Sequence, residues 1–79
     1  MELKRIKDLR EDNDLLQKDI AKELNVSQQQ YSRIENGTND IRIDSLIKLA
    51  MLYKTSTDYI LGITNTKTPY PRIKNLKEI

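Results

Sequence analysis

The chain has 79 residues, with 14 Lys or Arg, 12 Asp or Glu and a formal net charge of +2. It contains neither cysteine nor histidine, which excludes disulfides, thiol nucleophiles, imidazole bases and the usual zinc sites. A chain this short is expected to form one domain that is stabilised by packing alone. No apolar run approaches the roughly 18 residues of a membrane span. The charged start lacks the apolar region of a signal peptide, so we expect a cytoplasmic protein with no membrane segment.

The charged residues are unevenly distributed along the chain. Residues 1–63 carry ten Lys or Arg and eleven Asp or Glu, a balance of −1. Residues 64–79 carry four basic residues and one acidic residue, a balance of +3. Turn-forming residues dominate the stretch Thr64-Asn-Thr-Lys-Thr-Pro-Tyr-Pro71, which is typical of a linker or arm. We therefore predict a domain in residues 1–63 and a basic C-terminal arm in residues 64–79.

Apolar residues recur at helical spacing in five short segments, and too few residues alternate as they would in a sheet. The spacing predicts helices over approximately residues 2–12, 17–24, 28–36, 42–54 and 57–61, and hence an all-α fold. The predicted inner face of the first helix contains Leu3, Ile6 and Leu9, with Arg10 at its edge. The predicted inward residues of the fourth helix are Ile43, Leu46, Leu49, Ala50 and Tyr53.

Residues at the helix ends support these boundaries. Ser27 and Ser56 are good N-caps for the third and fifth helices, whereas Leu16 is a poor N-cap for the second. Asn25 follows the second helix, where a left-handed backbone conformation is wanted, and Gly62 closes the fifth. Only three residues, 25–27, therefore connect the second and third helices.

Residues 17–36 have the pattern of a helix-turn-helix. Ala21 is small enough to allow close approach of the two helices. Apolar side chains that would lock them together are Ile20, Leu24, Val26, Tyr31 and Ile34. The opposite face of the third helix is polar and has no carboxylate at its centre, and it is formed by Gln28, Gln29, Ser32, Arg33 and Asn36.

Glutamine can form two hydrogen bonds with adenine in the major groove, and arginine can do the same with guanine. An ordinary solvated helix face is the alternative interpretation, and it would be preferred for the three glutamines taken alone. The complete spaced pattern favours recognition of double-stranded DNA.

These residues resemble the Cro and phage-repressor helix-turn-helix family, also called the XRE family. The stretches that carry the resemblance are Leu3-Lys-Arg-Ile-Lys-Asp-Leu-Arg10, Gln17-Lys-Asp-Ile-Ala-Lys-Glu-Leu24, Val26-Ser-Gln-Gln-Gln-Tyr-Ser-Arg-Ile-Glu-Asn-Gly37, Ile43-Asp-Ser-Leu-Ile-Lys-Leu-Ala50 and Ser56-Thr-Asp-Tyr-Ile-Leu-Gly62. Together they cover about residues 2–63. The resemblance implies a compact five-helix bundle of the lambda-repressor-like type that binds operators.

The resemblance also implies roles for individual residues. The residues expected to meet base edges are Gln28, Gln29 and Arg33, with Ser32 available to either base or backbone. The residues expected to contact phosphates are Gln17, Asn36, Asn39 and Arg42. Arg10 and Glu35 are expected to form an ion pair between the first and third helices. No cofactor or metal is expected.

One recognition helix covers only a few base pairs, so we expect a homodimer on a palindromic operator, formed in solution or only on DNA. Apolar residues proposed for the dimer contact are Ile47, Met51, Leu52, Tyr59, Ile60 and Ile63. Three roles remain open for the arm: it contacts phosphate, docks on the second subunit through Ile73, Leu76 and Ile79, or binds a protein partner. No effector pocket is expected, because no second domain is evident.

The leading hypothesis is a sequence-specific transcriptional regulator, specifically a repressor of phage or mobile-element type. One alternative is an antitoxin that binds a toxin protein through residues 64–79 and represses its own operon. Another is an interaction module that does not bind DNA, which the acidic balance of residues 1–63 permits. An enzyme is not expected, since histidine, cysteine and a glycine-rich phosphate loop are missing from the sequence.

Overall fold

The computed structural model describes residues 3–71 of the chain. These residues form five α-helices, which are α1 (Lys4–Asp12), α2 (Gln17–Glu23), α3 (Gln28–Glu35), α4 (Ile43–Leu52) and α5 (Thr57–Leu61). No strand occurs among the described residues, and the all-α prediction is confirmed. Each predicted helix is present, and its ends lie within two residues of the expected positions.

A single hydrophobic core joins the five helices. Its largest fully buried apolar side chains are Tyr31, Ile6, Leu9, Ile20, Leu49 and Ile60. Helix α1 packs against α3 and α5, α2 packs against α3, and α4 packs against α5. The inner face predicted for α1 is confirmed, because all three of its apolar residues are buried. Helix α3 is consequently supported by two other helices, which fixes the direction of its outer face.

One predicted inward residue of α4 was wrong. Ile43 is 77% exposed, whereas Leu49 and Ala50 are buried and Leu46 and Tyr53 are half-buried. At about 100° per residue, Ile43 lies about 70° from the centre of the face that these four residues share. It is also the first residue of the helix. Ile43 therefore lies on the outer side of α4 with Ile47 and Met51, which are also exposed.

The apolar surface predicted for a dimer contact needs a second correction. Ile60 is only 1% exposed and belongs to the core, so it is not available to a partner. Ile63 is well exposed, Tyr59 is half-buried, and Met51 and Leu52 of α4 are exposed as predicted. The exposed apolar surface therefore comes mainly from the outer side of α4 and from the residues after α5.

Residues 64–71 form an irregular segment, here called the C-terminal strap, that is held against the helices. The Arg5 guanidinium of α1 donates hydrogen bonds to the backbone oxygens of Tyr59 and Thr64 and, at 2.6 Å, to Asn65 Oδ1. Thr55 Oγ1 donates to the Lys67 oxygen at 2.6 Å. The first half of the predicted arm is thus in contact with the domain, while the predicted contacts of Ile73, Leu76 and Ile79 lie outside the described residues.

Two further observations concern residues 3–71 as a whole. None of their helices is long and apolar enough to cross a lipid bilayer. Their acidic side chains include no group of three or more that could hold a metal ion.

Candidate nucleic-acid interface

A tight turn joins α2 to α3, and its geometry follows from the residues predicted to form it. Asn25 has φ of 57°, the left-handed conformation expected after the second helix. The Val26 N–H then donates to the Ala21 oxygen at 3.0 Å, which bonds the turn to the end of α2. Ser27 follows as the N-cap of α3, as predicted.

The start of α3 is fixed by a reciprocal pair of hydrogen bonds. The Ser27 hydroxyl accepts from the Gln30 N–H at 3.1 Å, and the Gln30 side-chain oxygen accepts from the Ser27 N–H at 2.9 Å. Gln30 is therefore engaged in its own helix. Of the three consecutive glutamines, only Gln28 and Gln29 keep both ends of the amide free of bonds to other described residues.

The two faces of α3 have opposite environments. Tyr31 is fully buried, and Ile34 is half-buried against the core. On the other side, Gln28, Gln29 and Arg33 are exposed and Ser32 is half-buried. The structure therefore brings the four predicted base-reading residues to one side of a single helix, where three of them face solvent.

Helix α2 begins at Gln17 as predicted, although Leu16 offers no side-chain cap. The Asp19 carboxylate instead accepts a hydrogen bond from the Leu16 N–H at 2.9 Å. This contact satisfies one backbone donor at the helix start and places a carboxylate in the first turn, where the helix dipole favours it.

Arg10 and Glu35 form the expected ion pair. Arg10 Nε lies 2.8 Å from Glu35 Oε2 and Arg10 Nη2 lies 3.0 Å from Glu35 Oε1, a bidentate arrangement. Arg10 also donates to the Leu15 oxygen at 2.9 Å. The two side chains are only 12% and 4% exposed, so the pair joins α1 to α3 within the protein and not at its surface.

The protonation of this pair follows from its surroundings. Burial raises the pKa of the Glu35 carboxyl, but the hydrogen bond from Arg10, the nearby Tyr31 hydroxyl and the Gln17 amide lower it further, so its pKa lies below the ordinary value. The hydrogen bond with Glu35 raises the pKa of Arg10. Both groups therefore remain charged at neutral pH.

Two tyrosine hydroxyls are buried close to the ion pair. The hydroxyl of Tyr31 interacts with the Glu35 carboxylate, whereas the hydroxyl of Tyr53 forms no hydrogen bond with another described residue. Burial raises the pKa of Tyr53 to about 12, and burial together with the Glu35 carboxylate raises the pKa of Tyr31 well above its ordinary value. These phenols are neutral under all ordinary conditions.

The predicted phosphate-contacting residues are found in different surroundings. Gln17 is half-buried, and its Nε2 donates to Glu35 Oε1 at 3.3 Å, a contact that the sequence did not reveal. Asn36 is exposed, and its Oδ1 accepts from the Thr38 N–H at 2.9 Å. Asn39 is exposed, and its N–H donates to the Arg33 oxygen at 3.0 Å, which folds the loop back onto the end of α3.

Arg42 is the exposed cation of the group, but it is not isolated. Its Nε lies 3.2 Å from Asp44 Oδ1, and the two side chains are 83% and 68% exposed. Because the pair is fully solvated, a phosphate can compete with Asp44 for the guanidinium at little cost.

Comparison with known proteins agrees with this geometry. The helix-turn-helix family matches residues 6–60, which contain the two-helix motif and most of the core. The chain belongs to this family of DNA-binding transcriptional regulators, and the expected resemblance to its Cro and phage-repressor type is confirmed.

Two curated relatives from Bacillus subtilis strain 168 are similar to this helix-turn-helix protein. One is named as an uncharacterized HTH-type transcriptional regulator, YobD, and is 35% identical over 78 residues, which are 99% of this chain and 70% of the relative. The HTH-type transcriptional regulator ImmR is 41% identical over 59 residues, which are 75% of this chain and 46% of the relative. No solved structure gives a significant match.

Proposed function

We propose that this protein binds specific sequences in double-stranded DNA through α3 and acts as a repressor of phage or mobile-element type. The observation that carries the proposal is the contrast between the two sides of α3: Tyr31 is fully buried, and Gln28, Gln29 and Arg33 face solvent on the other side. A helix that is anchored in this way can enter the major groove with its polar side chains directed at the bases. The two relatives named as transcriptional regulators support this assignment.

The residues divide into readers and anchors. Gln28, Gln29 and Arg33 would donate to and accept from base edges, with Ser32 serving either a base or the backbone. Neutral amides and an arginine suit this role, since a carboxylate on the same surface would be repelled by phosphates.

The anchors would be Gln17, Asn36, Asn39 and Arg42, which lie around α3 at the start of α2 and in the loop after α3. Phosphate contacts of this kind position a protein on the duplex and do not depend on sequence. Residues 1–63 carry a net charge of −1, so the electrostatic contribution of these anchors is local, and base contacts must supply much of the affinity.

A homodimer would extend recognition to a palindrome, with the two α3 helices about 34 Å apart. The exposed side chains of Ile47, Met51 and Leu52 on α4, together with Ile63, provide apolar surface for a subunit contact. Binding over a promoter is sufficient to block transcription, and no effector site is needed. No contact among the described residues favours the antitoxin alternative, and half of the segment it would use lies outside them.

Selection of bound sites from random duplex DNA at about 0.1 M salt tests this proposal. We expect enrichment of one palindromic sequence with two half-sites about 10 base pairs apart. The control is the triple variant Gln28→Ala, Gln29→Ala, Arg33→Ala, which changes only exposed side chains and should fold but enrich no sequence. If the wild-type protein enriches nothing, or the triple variant enriches the same site, sequence-specific recognition by α3 is wrong.

A further inference from the structure

A polar cleft lies where α1, the start of α2 and α3 meet. It encloses about 400 Å³ and is lined by Lys7, Arg10, Gln17, Ser32, Glu35 and Asn36. Five of these residues already have assigned roles as base readers, phosphate anchors or members of the ion pair. Lys7 has none, and the cleft joins it to them in one surface.

The charges that line the cleft are not equivalent. Arg10 and Glu35 neutralise each other in the bidentate pair described above. Lys7 lies on α1 one turn before Arg10, is exposed, and forms no salt bridge with another residue of the described part of the chain. The cleft therefore has one uncompensated positive charge, and that charge belongs to Lys7.

The neutral side chains of the cleft present hydrogen-bond donors. Gln17 uses its Nε2 in the bond to Glu35, and since an amide nitrogen carries two N–H groups, one donor remains. Asn36 uses its Oδ1 to accept from the Thr38 N–H, which leaves both N–H groups of its amide available. One cation and several neutral donors suit a ligand with a single negative charge and several acceptor oxygens.

The position of the cleft on α3 indicates which part of a duplex would reach it. Ser32 and Asn36 lie on the flank of α3, between the exposed side that carries Arg33 and the inner side that carries Glu35. When the exposed side enters a major groove, this flank faces the sugar-phosphate strand that borders the groove.

We propose that this cleft binds one backbone phosphodiester, with Lys7 as its cation and Gln17 and Asn36 as neutral donors. The Arg10–Glu35 pair acts as the floor of the cleft and orients the Gln17 amide. This inference rests on the proposed function, because it requires α3 to enter the groove. It adds an anchor on α1 to those proposed at the start of α2 and in the loop after α3.

The salt dependence of binding provides the first test, on the duplex selected as above and on a random duplex. Each cation–phosphate contact contributes about 0.9 to the slope of log K against log salt concentration. We expect Lys7→Ala to reduce the slope by about 0.9 for each bound subunit, hence by about 1.8 for a dimer, and to weaken binding about 5- to 10-fold per half-site at 0.1 M salt on both duplexes. Lys7→Arg should retain most of the affinity.

Lys4→Ala is the matched control, because Lys4 is an exposed lysine on the same helix that lines a different cleft, beside Ile60 and Gly62. We expect it to weaken binding clearly less than Lys7→Ala, since Lys4 does not line the cleft that would hold the phosphate. Equal effects of Lys4→Ala and Lys7→Ala would overturn the proposal, because the lysine would then act only through net charge.

A second test locates the phosphate. Single phosphates of the selected duplex are replaced one at a time by neutral methylphosphonates, and binding is measured for the wild type and for Lys7→Ala. One position per half-site should weaken the wild type clearly more than Lys7→Ala, because the variant keeps only the neutral donors at that phosphate. If every position affects both proteins equally, the cleft does not bind a phosphodiester. Absence of duplex binding by the wild type would instead overturn the proposed function, and an effect of Arg33→Ala without one of Lys7→Ala would overturn this inference alone.

Discussion

Arg10 and Glu35 lie 25 residues apart in sequence, on α1 and α3, and they meet in a buried bidentate ion pair with an Nε–Oε2 distance of 2.8 Å. Glu35 lies on the same helix as the proposed base readers, and Arg10 lies on α1. The pair therefore helps to fix the position of α3 relative to α1. A change at either residue should affect both the stability of the domain and the orientation of the proposed base-reading side chains.

Arg10→Met should lower the free energy of unfolding by about 3 to 5 kcal/mol, because it leaves the Glu35 carboxylate buried without its partner. The double variant Arg10→Met, Glu35→Leu should recover most of that loss, since an apolar pair of similar volume needs no solvation. Urea denaturation monitored by circular dichroism measures both values.

The exposed pair between Arg42 and Asp44 is the control for this experiment. Arg42→Met should change the free energy of unfolding by no more than about 0.5 kcal/mol, because both side chains are solvated. If Arg10→Met changes the free energy of unfolding as little as Arg42→Met does, or if the double variant is less stable than Arg10→Met, the ion pair does not hold α3 in place as described.

The lowered pKa of Glu35 predicts how stability changes with acid. Because the folded pKa lies below the unfolded value of about 4.5, the contribution of Glu35 is fully present above pH 4.5 and is lost as the pH falls through the folded pKa. The difference in unfolding free energy between the wild type and Glu35→Gln should therefore be constant near pH 7 and shrink below pH 4.5. A difference that stays the same from pH 7 to pH 3 would contradict the assignment.

Tyr53→Phe removes a buried hydroxyl that has no hydrogen-bond partner among the described residues. We expect the free energy of unfolding to rise by about 1 kcal/mol at pH 7, since an unsatisfied buried polar group is costly. The raised pKa of Tyr53 also predicts a difference at alkaline pH. Because the phenol ionises near pH 10 in the unfolded chain but near pH 12 in the folded protein, the wild type should lose stability between these pH values. Tyr53→Phe lacks this ionisation and should lose less stability over the same interval.

Tyr70→Phe is the control, because Tyr70 is 61% exposed, and its change should be within about 0.5 kcal/mol at pH 7. A clear loss of stability in Tyr53→Phe would mean that its hydroxyl is bound in solution.

The helix-turn-helix was predictable because its signals are local. The Ser27 cap, the left-handed Asn25 and the buried Tyr31 each depend on neighbours within a few residues, and all three predictions are confirmed. The Arg10–Glu35 pair was predictable from the position of Arg10 at the edge of an apolar face and from the family resemblance.

The features that were missed depend on contacts distant in sequence. Ile43 was assigned to the core because its spacing fits, but the first residue of a helix can point away from a face that it only borders. The bond from Gln17 to Glu35 and the bonds from Arg5 to residues 59, 64 and 65 join segments that only the folded chain brings together. No pattern within a single segment encodes such pairings.

The C-terminal strap is expected to stabilise the domain through Arg5. In addition to its hydrogen bonds, the guanidinium lies over the ring of Tyr59, 4.1 Å from the centroid. Arg5→Met should lower the free energy of unfolding by about 1 to 3 kcal/mol, the range for hydrogen bonds to a charged group. Ending the chain after residue 63 should lower it similarly, because the acceptors at Thr64 and Asn65 are then missing.

Combining the two changes provides the check on that prediction. In the shortened chain, Arg5→Met should cost less than in the full chain, since part of its interaction has already been lost. If the two losses simply add, Arg5 does not act through the strap, and the domain is complete at residue 63 as the sequence predicted.

The division into readers and anchors makes the sharpest functional prediction. Arg33→Ala should weaken binding to the selected duplex by about 1 to 3 kcal/mol and relax base preference at one position of each half-site, because its guanidinium would read a base edge. On a random duplex its effect should be smaller and limited to the loss of one charge.

Gln17→Ala should instead weaken binding to selected and random duplexes by the same factor, because a phosphate contact carries no sequence information. Competition binding with both duplexes at a fixed salt concentration measures the two ratios. Equal losses on both duplexes for Arg33→Ala would show that this arginine is another anchor, and that base reading rests on Gln28 and Gln29.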